Sequence, residues 1–191
     1  MSPPGRPKGE YRSAQRAGTP VRPPGRPKGE YRSAQRERAR SAPVLSVAVQ
    51  YAVASTALPA PATMRRWARA AAAGAATVTL RFVGKREGRA LNTIYRGKEY
   101  ATNVLAFVYD GTARIEGDIV LCAPVLRAEA RAQGKTLADH CAHLVVHGML
   151  HLQGYDHATA RAARAMEARE TTILAALGVP DPYAVAAPAH R

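Results

Sequence analysis

Acidic residues are scarce in this chain. Only 14 Asp and Glu accompany 28 Lys and Arg among 191 residues, so the formal net charge is +14. Solubility alone does not require so large an excess, and the first expectation is a polyanionic partner. The length corresponds to one globular domain with residues to spare.

Cysteines and long apolar runs are also lacking. Two cysteines, Cys122 and Cys141, cannot form a disulfide framework, and both lie in apolar segments, where a thiol usually packs as a small hydrophobe. No run approaches the ~18 apolar residues of a membrane span, and the N-terminus lacks the apolar region of a secretory signal. We therefore expect a cytoplasmic protein without a membrane partner.

The first 40 residues contain no Leu, Ile, Phe or Trp, yet they hold 7 of the 14 prolines. Within them, Pro3–Arg16 recurs letter for letter as Pro23–Arg36. A repeat without an apolar face cannot stack as a solenoid, so residues 1–42 are predicted to form a disordered basic tail. Two interpretations remain open: an arm that binds RNA without sequence preference, and a recent dispensable duplication.

Residues 43–183 have the apolar periodicity of a folded domain, and 184–191 are predicted to be disordered. The pattern predicts the order β-α-β-α-β-β-α-α-α, hence an α/β (α+β) domain with a mixed sheet of about four strands packed against helices. Strands are expected near 47–51, 77–83, 103–109 and 117–122, with helices near 64–73, 85–95, 124–133, 137–152 and 159–177, and a turn at Asp110-Gly111. Thr136 and Asp139 form a capping box for the fourth helix. The last helix aligns four apolar residues on one stripe: Ala162, Met166, Ile173 and Leu177.

Three histidines follow the spacing H-x3-H-x5-H. Residues four apart lie above one another on a helix, so His147 and His151 can converge on one cation. Gly154 can adopt the left-handed conformation that ends a helix, which lets His157 return to the same ion. Three imidazoles with an open fourth position are typical of catalytic zinc, whereas structural sites usually have four ligands. The sequence thus predicts a zinc site on a C-terminal helix and the turn after it.

Metzincin proteases share this spacing but have a Glu after the first histidine, where this chain has Gly148. That Glu is the general base of peptide hydrolysis, so its absence favours reaction at a phosphodiester.

His143 lies ~12 Å along the helix from His151 and cannot share its ion. We expect His143 and His140 at the surface or behind the ligands.

Residues His147–His157 read H-G-M-L-H-L-Q-G-Y-D-H. They resemble, at every fixed position, the signature H-G-x-L-H-L-x-G-Y-D-H of the YbeY family of bacterial endoribonucleases. The resemblance covers roughly residues 44–183, with matches at Leu91-Asn92, Tyr95–Lys98, Thr102–Leu105, Gly117–Val120 and Pro180–Tyr183. Glu99, Ala101 and Ala106 depart from the Asp, Pro and Ser that are usual in the family.

The resemblance implies a zinc-dependent, single-strand-specific endoribonuclease that acts in 16S rRNA 3′-end maturation and ribosome quality control. It implies His147, His151 and His157 as ligands of one zinc ion, and Arg96 as the basic residue facing the substrate. Its partners would be precursor rRNA and the small ribosomal subunit, with no DNA expected.

The remaining site predictions concern the residues around the metal. We predict catalytic roles for Arg96 and His147, substrate binding by Arg96 and Lys98, and a role for Asp156 in orienting an imidazole. From the residues alone, Arg96 could equally be one of many solvated arginines.

Two other functions remain open. In the alternative reading, the chain is a noncatalytic zinc-containing factor that binds RNA during ribosome assembly; an open coordination position argues against it. A metalloprotease comes third, and Gly148 argues against that. Other divalent ions can occupy a three-imidazole site.

Overall fold

A computed structural model describes residues 45–109 and 114–184. The predicted tail, residues 185–191 and the predicted turn at Asp110-Gly111 lie outside the described residues. Within them, the elements follow the predicted order: β1 (Leu45–Tyr51), α1 (Pro61–Ala71), β2 (Ala76–Val83), α2 (Lys85–Arg96), β3 (Val104–Val108), β4 (Ile115–Cys122), α3 (Ala123–Ala132), α4 (Leu137–Leu152) and α5 (Ala160–Ala176). The predicted α+β class and mixed sheet are confirmed.

The sheet has the strand order β1-β2-β4-β3. β1, β2 and β4 are parallel, while β3 pairs antiparallel with β4 at the edge. The register aligns Val49, Leu80, Ile119 and Ala106 in one row across the four strands. Leu80 and Ile119 belong to the main hydrophobic core, and Val49 and Ala106 pack against it, so this row marks the face of the sheet that the helices cover.

Helix boundaries follow local chemistry. α1 begins at Pro61, earlier than the predicted Met64, because proline is tolerated in the first turn, where its missing N–H has no intrahelical partner. The Thr136 hydroxyl accepts from the Asp139 amide at 3.0 Å, which confirms the predicted cap of α4. Thr159 caps α5 in the same way.

Helix α4 is the centre of the packing. It contacts α1, α3, α5, β3 and β4, and ten of its sixteen residues are buried. Cys141 within it and Cys122 at the end of β4 are buried free thiols, as predicted. No helix in the described part of the chain is both long and apolar enough to cross a membrane.

Two glycines let α4 lie close to β4. A Cβ added to Gly148 would stand 2.8 Å from Cγ2 of Ile119. A Cβ added to Gly117 would stand 2.2 Å from the Phe107 carbonyl oxygen and 2.7 Å from Cδ2 of Leu152. The backbone of α4 at Gly148 therefore lies directly against the Ile119 side chain of β4, and the backbone of β4 at Gly117 lies against Leu152 of α4. These contacts fix the position of the C-terminal half of α4.

We expect Gly148→Ala to lower the free energy of unfolding by about 1–2 kcal/mol, because overpacking against Ile119 outweighs the gain in helix propensity. Chemical denaturation monitored by circular dichroism measures the change. Gly74→Ala is the matched control, since nothing lies within 4 Å of the Cβ it would add. Equal stabilities for the two variants would contradict the close packing.

Candidate metal centre

The last two turns of α4 bring two imidazoles together. Nε2 of His147 and Nε2 of His151 are 3.0 Å apart, and their ring centroids are separated by 4.5 Å. Both side chains are only partly buried, so one face of the pair is open to solvent. The predicted convergence of these residues is confirmed.

The other nitrogen of each ring is engaged by an acceptor. Nδ1 of His147 lies 2.8 Å from Oε1 of Glu170, and Nδ1 of His151 lies 2.9 Å from the Tyr155 carbonyl oxygen. A carbonyl or an ionised carboxylate can only accept, so the hydrogen of each ring resides on Nδ1. In the neutral form of each ring, Nε2 then has a lone pair, which is the arrangement a metal ligand needs.

The chain turns back after α4, and His157 joins the pair. Gly154 has φ = +86°, which confirms the predicted left-handed residue at the end of the helix. The ring of His157 is exposed, with its centroid 5.1 Å from that of His151 and 5.7 Å from that of His147. The three histidines each offer a ligand nitrogen within 4.8 Å of the others and could hold one metal ion.

The donor set fits a cation. When both rings are neutral, their two Nε2 lone pairs 3.0 Å apart repel, and either a cation or an added proton between them removes that repulsion. Nitrogens around a tetrahedral zinc at ~2.0–2.1 Å stand about 3.3 Å apart, close to the separation found. Burial, with the neighbouring His147, His157 and Arg96 charges, lowers the pKa of His151 to about 4 despite the bond to Tyr155. His151 therefore remains neutral and able to bind metal at neutral pH.

Glu170 is the site residue that sequence reasoning missed. Its side chain is fully buried in α5, where burial alone would raise its pKa, but hydrogen bonds from His143, His147 and Tyr183 lower it to about 2. The sequence contains one sign of this role, because Glu170 interrupts the predicted apolar stripe of the last helix between Met166 and Ile173. A carboxylate at a buried stripe position needs buried donors, and histidines of α4 supply them.

Arg96 is the last residue of α2, and its positive charge is the smallest of the contributions that lower the pKa of His151. The turn that follows is anchored by the buried Asn92, whose side-chain amide donates to the Tyr100 carbonyl at 2.8 Å. Lys98 is exposed on this turn, with its backbone N–H bonded to Asn92. Arg96 is thus close enough to His151 to act on its pKa, and Lys98 is exposed two residues further along the chain.

The remaining polar residues around the site differ in how far the structure matches their predicted positions. Asp156 accepts from the Ala158 amide, while the carboxylate that bonds a candidate ligand is Glu170. His140 is not at the surface, because it is buried with Nε2 2.8 Å from Glu129. His143 lies behind the candidate ligands, bonded to Glu170. Gly148, where metzincins carry the general base, points at the sheet and has no room for a side chain.

A scan of known families matches residues 51–178 to the model described as Endoribonuclease YbeY. The chain belongs to the YbeY family. A protein named Endoribonuclease YbeY from Aromatoleum aromaticum is 60% identical over 126 residues, which cover 66% of this chain and 82% of that protein. Another of that name, from Bordetella avium, is 52% identical over an alignment covering 75% of this chain and 96% of the relative.

Among solved structures, the solution structure of TM1509 from Thermotoga maritima resembles this YbeY-family chain with a TM-score of 0.48 and 22% sequence identity. The alignment covers 76% of this chain and 99% of the other. The YbeY family model, which matches residues 51–178, covers all three clustered histidines as well as Arg96, Glu170 and Gly148.

His151→Ala removes one of the two paired Nε2 atoms, so we expect the purified protein to lose its bound divalent metal, from about one ion per chain to almost none. Elemental analysis by mass spectrometry measures the content. Tyr155→Phe is the control, because it keeps the carbonyl to which His151 donates. Full metal content in His151→Ala would show that the ion lies elsewhere.

Proposed function

We propose that this chain is a zinc-dependent, single-strand-specific endoribonuclease. The observation that carries the proposal is the grouping of His147, His151 and His157, with two Nε2 atoms 3.0 Å apart and the charge of Arg96 acting on His151. Relatives at 50–60% identity are named endoribonucleases, which supports RNA as the substrate. We further propose that the substrate is precursor 16S rRNA at its 3′ end, processed in the cytoplasm in contact with the small ribosomal subunit.

His147, His151 and His157 would hold the zinc ion. Zinc bound there would supply a Lewis acid for a phosphate oxygen and would lower the pKa of a coordinated water to ~7. The Nδ1 hydrogen bonds of His147 and His151 hold both rings in place, so that no ligand has to reorganise as charge develops on the phosphate.

Arg96 supplies the fixed positive charge of the proposed reaction. Its planar guanidinium can donate two parallel hydrogen bonds to phosphate oxygens and stabilise the charge that accumulates on them. Nothing in α2 opposes this role, since the helix carries four basic residues against one acidic residue, and Arg81 pairs with that acid, Glu87. Together with Lys98, this helix offers a basic surface for the backbone of single-stranded RNA.

The competing functions are less well supported. A structural zinc site gains nothing from partly exposed ligands and an arginine beside them, because structural sites are usually closed by four side chains. A metalloprotease needs a general base, and the position that carries it in metzincins is occupied here by the packed Gly148. Hydrolysis of an anionic phosphodiester also agrees with the net charge of +14.

Purified protein should cut a short unstructured RNA, lose this activity on treatment with a chelator and regain it on addition of zinc, because the histidines alone provide no Lewis acid. Gel electrophoresis of end-labelled RNA measures cleavage, with casein and a hairpin RNA as control substrates. Binding without cleavage would indicate the assembly factor instead, and cleaved casein would indicate a protease.

Arg96→Ala should retain zinc and reduce RNA cleavage by about 100-fold, which is typical when one donor to a developing anion is removed. Single-turnover cleavage assays measure the rate, and elemental analysis measures the metal. The matched control is Arg131→Ala. Arg131 is exposed in the last turn of α3, and its loss should leave the rate unchanged. If Arg96→Ala lost its metal, the residue would be structural.

A further inference from the structure

Glu170 is a charged side chain inside the core, and its hydrogen bonds come from two elements beyond its own helix. Oε1 accepts from Nδ1 of His147 at 2.8 Å. Oε2 accepts from Nε2 of His143 at 3.0 Å and from the Tyr183 hydroxyl. A buried carboxylate is tolerated only when its lone pairs are occupied in this way.

The two oxygens of Glu170 have different partners. Because His143 and Tyr183 both bond Oε2, the carboxylate cannot rotate about its last bond without breaking their hydrogen bonds. Oε1 is thereby kept facing Nδ1 of His147. The direction in which the His147 ring points consequently depends on two residues that offer nothing to the metal themselves.

Tyr183 reaches Glu170 because the segment after α5 folds back towards the N-terminal end of α4. Nζ of Lys135 donates to the Pro182 carbonyl at 2.7 Å, and the Tyr183 amide donates to the Asp181 carboxylate at 3.0 Å. The Tyr183 ring packs edge-on against His143 with centroids 5.5 Å apart. These contacts hold the hydroxyl against the carboxylate.

We propose that His143 and Tyr183 are positioning residues of the metal centre, which act through Glu170 to hold the His147 ring with Nε2 towards the cation. The proposal rests on the metal-dependent function argued above. It makes the C-terminal segment a component of the site, and it explains why a carboxylate interrupts the apolar stripe of α5.

A second cation is the competing use of the same residues, since His143, His147 and Glu170 also place ligand atoms within 4.8 Å of one another. However, the 2.8 Å between Nδ1 of His147 and Glu170 is an ordinary hydrogen-bond length, so a hydrogen already lies there. A cation would have to displace it and leave His147 as an imidazolate bridging two ions. We therefore expect one ion per chain.

The test compares Tyr183→Phe and Glu170→Gln with the wild-type protein. Zinc affinity is measured by competition with a chromophoric chelator, and the visible absorption of the cobalt-substituted protein reports ligand geometry. We expect a loss of affinity of roughly 10- to 100-fold for Glu170→Gln and up to about tenfold for Tyr183→Phe, each with an altered cobalt spectrum. Tyr100→Phe is the matched control, because Tyr100 is 61% exposed and engages Asn92 only through its carbonyl.

Tyr183→Phe keeps the test informative if Glu170→Gln fails to fold, since it removes a single hydroxyl. Wild-type affinity and an unchanged cobalt spectrum in Tyr183→Phe would overturn the proposal, as would a stoichiometry of two ions per chain. If the wild-type protein bound no divalent metal at all, the proposed function itself would fall. If it bound one ion and both variants matched it, only the positioning role would fall.

Discussion

The candidate site depends on which of the two nitrogens carries the hydrogen in the imidazole rings of His147 and His151. Two imidazoles on successive turns of α4 would ordinarily share their protons freely with solvent and with each other. Here each Nδ1 faces an atom that can only accept, Glu170 for His147 and the Tyr155 carbonyl for His151. Both Nε2 lone pairs are therefore directed into the same space, where only a cation or an added proton can relieve their repulsion.

This arrangement requires α4 to be held rigidly, and the fold supplies that. The helix is enclosed by α1, α3, α5 and the sheet, and its close approach to β4 is possible because Gly117 and Gly148 lack side chains. Two of the candidate ligands, His147 and His151, lie on its last two turns, where the core ends and solvent begins. A buried helix with an exposed end thus combines a fixed geometry with access for a substrate.

Much of this could be predicted from sequence because the signals are local. The capping box at Thr136, the four-residue spacing of His147 and His151, and the left-handed Gly154 each depend on neighbours within one or two turns. The order of the elements followed from the same short-range periodicity. Even the misplaced start of α1 at Met64 was an error of three residues at a helix end, where proline obscures the pattern.

The residues that were missed or misplaced depend on contacts between distant segments. Glu170 bonds His147 from another helix, and His140 is buried against Glu129 because α3 and α4 pack together. A hydropathy pattern shows that a carboxylate lies on an apolar stripe, but it does not show which side chains will donate hydrogen bonds to that carboxylate. Only the tertiary structure pairs Glu170 with the candidate ligand and leaves Asp156 bonded to the backbone of its own turn.

The contact between Gly148 and Ile119 bears on how hydrolases with this histidine spacing can diverge. By sequence alone, exchanging the one residue after the first histidine is the shortest mutational path from a nuclease to a protease. Here that path is obstructed, because any side chain introduced at position 148 would first have to displace Ile119 or push the helix away from its strand. Divergence between the two chemistries would then require remodelling of the scaffold before the catalytic group could be acquired.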